Sequence, residues 1–335
     1  MTYGVGYVGS KNTIAADIVN ILPKGERLID LFGGGGAITH CATLSNKWNT
    51  VVYNDYDKPV VEVISNAIHG AYSFDNPNFK PTFITREQFK AEKNTNGYIK
   101  IAWSFSNNGI DYVFSKEKER LKKALWDYVV LSESNDILLQ LFPLRDLINE
   151  TKIEARKQQF NYYTKMFAEL HYEDDILTMD YSKYHNDSLI EAQQYFTSLN
   201  PHGKIKDLFR LQPFERIERF NNMIALRPYY DNNQLVITCD DYRNYHYKDG
   251  DIVYCDIPYE QSANKMNKFN KWFDYQKFYN WALVQPYDVY FSSYYDTRLL
   301  EFADILWEKR KTVLISADTN NKHQLECLYK IKKGD

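Results

Sequence analysis

The sequence has little glycine and proline and no long apolar run, and each shortage excludes a class of protein. The 14 glycines and 10 prolines make up about 7% of the 335 residues, against about 12% in average proteins, which excludes collagen-like chains and Gly/Pro-rich disorder. No apolar stretch approaches the roughly 18 residues that a membrane span needs. The N-terminus also lacks the basic and apolar segments of a signal peptide. We therefore expect a cytoplasmic protein with no membrane partner.

Cysteine is also scarce, and the four residues present (Cys41, Cys239, Cys255 and Cys327) are far apart and form no C-x-x-C pair. This spacing argues against a zinc site or a disulfide framework and favours free thiols in a reducing compartment. The seven histidines form no pair at metal-ligand spacing, so we predict no metal site. The net charge is −3 and evenly spread, which excludes a strongly basic nucleic-acid binder but leaves local patches possible.

Strand and helix patterns divide the chain into two α/β ends and a mainly helical middle. Residues 1–60 contain a strand, a glycine turn, a helix and a second strand, and residues 232–335 return to the same pattern. Residues 61–231 carry polar-aromatic stretches at helical spacing. We predict a doubly wound α/β sheet with a helical domain of residues 61–231 inserted in it. The expected strands are Arg27–Phe32, Thr50–Asn54, Gln234–Cys239, Ile252–Cys255, Asp288–Ser292, Lys311–Ile315 and Leu325–Ile331.

The first chemical motif is D-L-F-G-G-G-G, from Asp30 to Gly36, placed between a predicted strand and a predicted helix. Glycines at such a turn let a ligand approach the backbone, and the helix N-terminus adds free N–H groups. Asp55 ends the next strand, at the spacing where an acid accepts hydrogen bonds from ribose hydroxyls. The motif indicates a nucleoside-cofactor site, without separating a nicotinamide dinucleotide from other adenosine cofactors.

The second motif is C-D-I-P-Y, from Cys255 to Tyr259, directly after a predicted buried strand. Ligands bind beyond the carboxyl ends of strands in such sheets. The Asp256 carboxylate and the Ile257 carbonyl can accept hydrogen bonds from an exocyclic amine, and Tyr259 can stack on its ring. As an isolated pattern the motif also fits an ordinary turn after a strand.

Together the two motifs resemble those of the Dam-like DNA adenine-N6 methyltransferases, which use S-adenosyl-L-methionine. Their cofactor motif is a strand ending in F-x-G-x-G, which Phe32 to Gly36 match. Their catalytic motif is D-P-P-Y, which Asp256, Pro258 and Tyr259 match, with Ile257 replacing the first proline. The order of cofactor motif, insert and catalytic motif is that of the family's alpha arrangement. The resemblance implies a Rossmann-like methyltransferase sheet of residues 1–60 and 232–335, with residues 61–231 as the target-recognition domain.

Shorter segments extend the resemblance. Tyr7 to Lys11 resembles the family's opening aromatic-x-G-G-K segment, with Ser10 in place of the second glycine. Cys239 to Tyr242 resembles a segment whose acid meets the cofactor's adenine, a role that falls to Asp241. S-F-S-N-N-G near Ser104–Gly109 resembles phage and prophage members. The implied cofactor residues are Tyr7, Gly9, Ser10, Lys11, Asp30, Phe32, Gly33, Gly34, Gly35, Gly36, Asp55, Asp241 and Tyr242.

The resemblance implies methyl transfer to the N6 amine of an adenine flipped out of double-stranded DNA. The implied catalytic residues are Asp256, Ile257, Pro258 and Tyr259. A polar segment follows them, and one interpretation is a loop that contacts DNA phosphates, the other a solvated face. The residues of that segment are Lys265, Lys268, Phe269 and Lys271. Trp103, Phe105 and Tyr112 are expected in the core of the insert, and Ser292 either borders the pocket or packs in the core.

Three other functions remain open at this point. Cytosine-N4 methylation uses the same chemistry, but those enzymes usually have Ser where this chain has Asp256. A nicotinamide-dependent oxidoreductase would explain the glycine turn and Asp55, but not C-D-I-P-Y. A catalytically degenerate DNA-binding protein on the same fold is suggested by Ile257, and by Gly6 where the family usually has a basic residue.

Overall fold

The computed structural model describes residues 2–133, 158, 207, 210–259, 273–312 and 323–333. Its strands are β1 (Gly25–Asp30), β2 (Trp48–Asn54), β3 (Leu235–Thr238), β4 (Asp251–Cys255), β5 (Val289–Tyr294), β6 (Ala303–Thr312) and β7 (His323–Ile331). Its helices, numbered within this part of the chain, are α1 (Ala15–Ile21), α2 (Ala37–Ser45), α3 (Lys58–Ile68), α4 (Arg86–Glu92), α5 (Gly97–Ala102), α6 (Lys116–Val129), α7 (Gln212–Phe220), α8 (Arg227–Asp231) and α9 (Tyr275–Leu283).

The seven strands form one mixed sheet in the order β3-β2-β1-β4-β5-β7-β6. The first five are parallel, and β7 runs antiparallel to both of its neighbours. From β1 the chain moves outward through β2 to β3, and it then returns to place β4 on the other side of β1. The predicted α/β class is confirmed, with a reversal of strand order between β1 and β4.

Apolar side chains fill both faces of this sheet because successive strand residues point to opposite sides. Leu28 and Tyr254 belong to the cluster that includes α1, α2 and α3, whereas Ile29 and Val253 belong to the cluster that includes α9. Burial on both faces explains why β4 is apolar at nearly every position.

The described residues between β2 and β3 are mainly helical, with Trp103 and Trp126 fully buried at their centre. These side chains belong to the same apolar cluster as the sheet residues that face α1 to α3. The boundary predicted at residue 60 falls within α3. The division into residues 1–60 with 232–335 and residues 61–231 stays a prediction.

Most predicted strands agree with the structure within a few residues, but the one expected at Lys311–Ile315 does not. The strand is β6, which begins at Ala303 and ends at Thr312, and residues 313–315 lie outside the described residues. It is an edge strand, with β7 as its neighbour, and five of its ten residues are charged, four of them consecutive at 308–311. Charged side chains are common on edge strands. The strand therefore lacks the apolar run by which the buried strands were predicted.

A buried ion pair joins β1 to β4 at the edge opposite their carboxyl ends. The Arg27 guanidinium donates to both carboxylate oxygens of Asp251, from Nε at 2.8 Å and from Nη2 at 2.6 Å. The Asp251 side chain is 1% exposed.

Replacing Arg27 by methionine leaves the buried Asp251 carboxylate without a cation, with the Lys248 N–H at 2.7 Å as its remaining donor among the described residues. We expect Arg27→Met to lower the free energy of unfolding by about 3–5 kcal/mol, measured by urea denaturation. The control is Lys309→Met, which removes an ion pair to Asp17 whose side chains are 51% and 41% exposed. That variant should lose less than about 1 kcal/mol. Equal losses in the two variants would contradict the prediction.

Candidate active site

The candidate site lies where the parallel strands end at their carboxyl edge. The chain leaves β1 into the glycine loop of residues 33–36, and Asp55 follows β2 directly. Asp241 lies just beyond β3, and Asp256 follows β4 directly. Because β1 and β4 are neighbours from which the connections diverge, their carboxyl ends form the crevice where such sheets bind ligands.

Two tyrosine rings explain why the loop after β1 needs glycine. A Cβ on Gly33 would collide with the Tyr53 ring, and one on Gly35 would lie 2.7 Å from Tyr7 Cβ. Gly34 and Gly36 have φ of +46° and +71°, in the left-handed region that favours glycine. The sequence suggested room for a ligand, whereas these contacts show that the protein's own rings already fill part of that room.

Asp55 holds the glycine loop in place. Its Oδ2 accepts a hydrogen bond from the Gly34 N–H at 2.8 Å, and its Oδ1 accepts one from the Asp57 N–H at 2.8 Å. The Tyr53 hydroxyl donates to the Gly34 carbonyl from the same strand. Burial raises the pKa of Asp55, and the two backbone donors oppose that rise.

Asp30 is buried beneath the loop and faces α2. Its Oδ2 accepts from the Thr39 N–H at 3.0 Å and from the Thr39 hydroxyl at 2.6 Å. Burial raises its pKa to about 7, against an ordinary value near 3.8. In this geometry Asp30 ties β1 to α2.

Asp256 forms a buried ion pair with Lys11. The Lys11 ammonium lies 2.5 Å from Asp256 Oδ1, and the Ser292 hydroxyl donates to the same oxygen at 2.9 Å. The Lys11 side chain is 4% exposed and the Asp256 side chain 19%. Burial raises the pKa of Asp256, whereas the Lys11 charge and the Ser292 hydrogen bond lower it. Among the described residues both contacts fall on Oδ1, and Oδ2 can accept a further hydrogen bond.

A turn at the N-terminus delivers Lys11 to this position. The Ser10 N–H donates to the Tyr7 carbonyl at 3.1 Å, and Gly9 has φ of +77°. The Lys11 ammonium donates back to the Gly9 carbonyl at 3.0 Å. The segment predicted to contact the cofactor therefore places its lysine on the predicted catalytic acid.

The remaining catalytic candidates lie beside Asp256. The Ile257 side chain is 2% exposed and belongs to the apolar cluster on the α9 face. The Tyr259 hydroxyl donates to Glu326 Oε1 at 2.6 Å. The Tyr259 ring packs edge-on against Tyr294, with 4.6 Å between centroids. Pro258 continues the chain between Ile257 and Tyr259, as the motif requires.

Asp241 and Tyr242 lie beyond β3. Arg243 pairs with Asp241, with Nη2 at 2.5 Å from Oδ2 and Nε at 2.7 Å from Oδ1, and this hydrogen bonding lowers the pKa of Asp241. The Tyr242 ring lies 5.4 Å from the Phe32 ring. The structure therefore brings the aromatic residues after β1 and β3 into contact.

The structure also decides two positions considered from the sequence, Ser292 and Phe105, and adds Glu326, which the sequence did not single out. Ser292 proves to contact Asp256 rather than only packing in the core. Glu326 was missed because a glutamate within an apolar strand carries no motif. Phe105 was expected in the core but is 54% exposed, unlike the buried Trp103 and Tyr112. Lys265, Lys268, Phe269 and Lys271 lie outside the described residues.

A doubly wound sheet with a glycine loop after β1 and a carboxylate site after β4 defines a Rossmann-like methyltransferase fold. A family model described as D12 class N6 adenine-specific DNA methyltransferase matches residues 7–296. The chain belongs to this family and is an S-adenosylmethionine-dependent enzyme that methylates the N6 amine of adenine in DNA. No curated protein matches the chain. The family assignment favours adenine-N6 methylation over the three functions that the sequence left open.

The described residues contain no candidate membrane helix and no candidate metal centre. None of the helices placed there is long and apolar enough to cross a membrane. Within the same ranges, no group of three or more His, Cys, Asp and Glu side chains is arranged to hold a metal ion.

The raised pKa of Asp30 predicts a pH-dependent stability. Folded Asp30 keeps its proton up to about pH 7, whereas the unfolded chain loses it near pH 3.9. The folded state therefore binds more protons between these values, and the free energy of unfolding falls as the pH rises. Asp30→Asn should reduce the fall between pH 5 and pH 8 by roughly 2 kcal/mol. Denaturant unfolding at both pH values measures it, and identical pH dependence in the two proteins would contradict it.

Proposed function

We propose that the chain binds S-adenosyl-L-methionine along the carboxyl ends of β1, β2 and β3, and transfers its methyl group to an adenine held at Asp256. The observation that carries this proposal is the position of Asp256 across the β1/β4 crevice from the glycine loop. Its Oδ1 is held by Lys11 and Ser292, which leaves Oδ2 for a hydrogen bond to the substrate.

The side chains around the glycine loop fit this cofactor. Asp55 uses each oxygen for one backbone donor, and a carboxylate oxygen can accept a second hydrogen bond, here from a ribose hydroxyl. Asp241 is proposed to meet the adenine amine, in competition with Arg243. Phe32 and Tyr242 supply aromatic surface between them. Asp30 would act by holding α2 in position.

The catalytic residues have a modest chemical task. S-adenosyl-L-methionine supplies, when bound, a methyl group already activated on a sulfonium. The Asp256 carboxylate and the Ile257 carbonyl would accept the two N6–H groups, and these hydrogen bonds strengthen as positive charge develops on the nitrogen. The N6–methyl bond would form as the sulfur–methyl bond breaks, S-adenosylhomocysteine would leave, and one N6 proton would then pass to solvent. Alignment of the reacting atoms by such contacts can lower the barrier by roughly 7–11 kcal/mol.

The adenine is proposed to be flipped out of double-stranded DNA, at a cost of a few kcal/mol. Stacking on Tyr259 would offset part of that cost. Residues 61–231 are proposed as the target-recognition domain, and Lys265, Lys268, Phe269 and Lys271 as contacts to the DNA backbone.

A cavity in the described part of the insert supports a DNA-facing surface. It has a volume of about 240 Å³ and is lined by Phe105, Ser106, Asn107, Arg210 and Arg219, among others. Ser106 and Asn107 have φ of +47° and +59°, a strained conformation that clusters at functional sites. A Cβ on Gly6 would meet the Asn107 amide, so this loop adjoins the segment that carries Lys11.

Mass analysis of nucleosides tests the reaction directly. The purified chain is incubated with unmethylated DNA and S-adenosyl-L-methionine, and the DNA is then digested. We expect N6-methyladenine from the wild-type chain and at least about 100-fold less from Asp256→Ala, because the charge on N6 loses its acceptor. The matched control is Asp304→Ala on β6, whose side chain is 65% exposed. N4-methylcytosine, or full activity in Asp256→Ala, would contradict the proposal.

Calorimetry with S-adenosylhomocysteine tests the cofactor site without turnover. We expect the wild-type chain to bind it and not to bind NAD. Asp55→Asn should weaken binding by about tenfold, because a neutral amide is a weaker acceptor for ribose hydroxyls than a carboxylate. Asp75→Asn, which changes an exposed residue of the insert, should leave the affinity unchanged. Equal affinities for wild type and Asp55→Asn would remove Asp55 from the site.

A further inference from the structure

Glu326 is a buried carboxylate that neither chemical motif includes. It lies on β7, beyond residue 296 where the family match ends, and its side chain is 1% exposed. β7 pairs with β5, and in that register Glu326 lies opposite Tyr294 while Leu328 lies opposite Ser292. Because alternate strand residues share a face, Glu326 lies on the same face of the sheet as Ser292 and Tyr294.

Two groups of the candidate active site meet at one oxygen of Glu326. Oε1 accepts the Tyr259 hydroxyl at 2.6 Å, and it lies 3.7 Å from the Lys11 ammonium. The same ammonium lies 2.5 Å from Asp256 Oδ1 and 4.7 Å from the centroid of the Tyr259 ring. Lys11 therefore lies between two carboxylates, that of Asp256, which is partly buried, and that of Glu326, which is fully buried, and it is closer to Asp256.

This arrangement is electrostatically costly. Glu326 raises the pKa of Asp256, in the same direction as burial does. A buried carboxylate beside another needs compensation, and an apolar side chain would fill the same place more cheaply. A glutamate at this place is therefore better explained by a role in positioning Tyr259 and Lys11 than by a gain in stability.

We propose that Glu326 is a positioning residue for methyl transfer. It fixes the plane of the Tyr259 ring through the hydroxyl, and it accepts the Lys11 ammonium when the adenine amine approaches Asp256. The role rests on the proposed function, since it presumes that adenine binds at Asp256 and Tyr259.

Two contacts act on the Tyr259 side chain, namely the hydrogen bond from its hydroxyl to Glu326, which we call the tether, and the packing of its ring. The hydroxyl of Tyr259 is held by Glu326, and the ring of Tyr259 packs against that of Tyr294 with 74° between their planes. A ring fixed at both places presents one orientation to a stacked base, and misplacement of a substrate by about 1 Å can cost 100-fold in rate.

The approach of the adenine amine explains the need for a second carboxylate. An N6–H donor at Asp256 weakens the hold of that carboxylate on Lys11. The ammonium is almost fully buried, and it keeps an anionic partner by a small displacement toward Glu326, which already lies 3.7 Å away.

Single-turnover methylation by three variants tests this role. Glu326→Leu removes both the tether and the charge, and we expect the rate constant of methyl transfer to fall about 10- to 100-fold. The KM values for DNA and for S-adenosyl-L-methionine should stay within about twofold, because neither ligand loses a direct contact. Glu326→Gln keeps an acceptor for the Tyr259 hydroxyl but not the charge, and should give an intermediate rate.

Tyr259→Phe keeps the ring and removes the tether from the other side. If the tether acts as one unit, the double variant Tyr259→Phe/Glu326→Leu should be no slower than Glu326→Leu alone. Losses that multiply in the double variant would overturn the tether. If Glu326→Leu does not fold, Tyr259→Phe and Glu326→Gln carry the test, and wild-type rates in both would overturn the role.

The matched control is Glu308→Leu on β6, which removes an exposed carboxylate and should transfer at the wild-type rate. Glu326→Gln at the wild-type rate would overturn the part assigned to Lys11. If the wild-type chain methylates DNA and Glu326→Leu does so at the same rate, the role of Glu326 is overturned and the proposed function stands. Absence of transfer by the wild-type chain would instead overturn the proposed function, and this role with it.

Discussion

The ion pair between Lys11 and Asp256 is the interaction on which the rest of the site depends. It ties the N-terminal turn before α1 to the end of β4, and through Ser292 and Glu326 it reaches β5 and β7. Desolvation of two charges is expensive, and a buried pair seldom returns its full cost in stability. We therefore interpret the pair as a contact that holds the Asp256 carboxylate, the proposed catalytic acid, in one orientation before substrate binds.

Carboxylates accumulate at this edge of the sheet because parallel strands end there together. Asp30 is fully buried, whereas Asp55 and Asp256 are partly buried, and burial raises the pKa of each. Different groups offset this cost: the hydroxyl and N–H of Thr39 for Asp30, backbone donors for Asp55, and an ammonium for Asp256. A cation beside a carboxylate favours its ionised form, which can accept hydrogen bonds from an amine, whereas the contacts of Asp30 with Thr39 hold a helix.

Aromatic side chains shape the cofactor edge in a comparable way. Tyr53 and Tyr7 press on the glycine loop, and Phe32 and Tyr242 pack on each other nearby. These contacts within the protein hold the loop in its form, which lowers the ordering cost when a ligand binds. The Tyr53 and Tyr7 side chains leave no room for a Cβ at Gly33 and Gly35. Glycine is therefore required at these two positions by contacts within the protein, whether or not a ligand also approaches them.

The sequence by itself determined the local parts of this protein. The glycine turn, the acid after β2 and the acid after β4 follow from patterns within a few residues, and all three lie where the sequence predicted. The order of the strands, the contact of Lys11 with Asp256 and the place of Glu326 were decided only by the tertiary structure. Such contacts join residues that are far apart in the chain, so no local pattern encodes them. The bounds of the edge strand β6 could not be predicted from local patterns either, because its charged residues suit an edge position that only the assembled sheet defines.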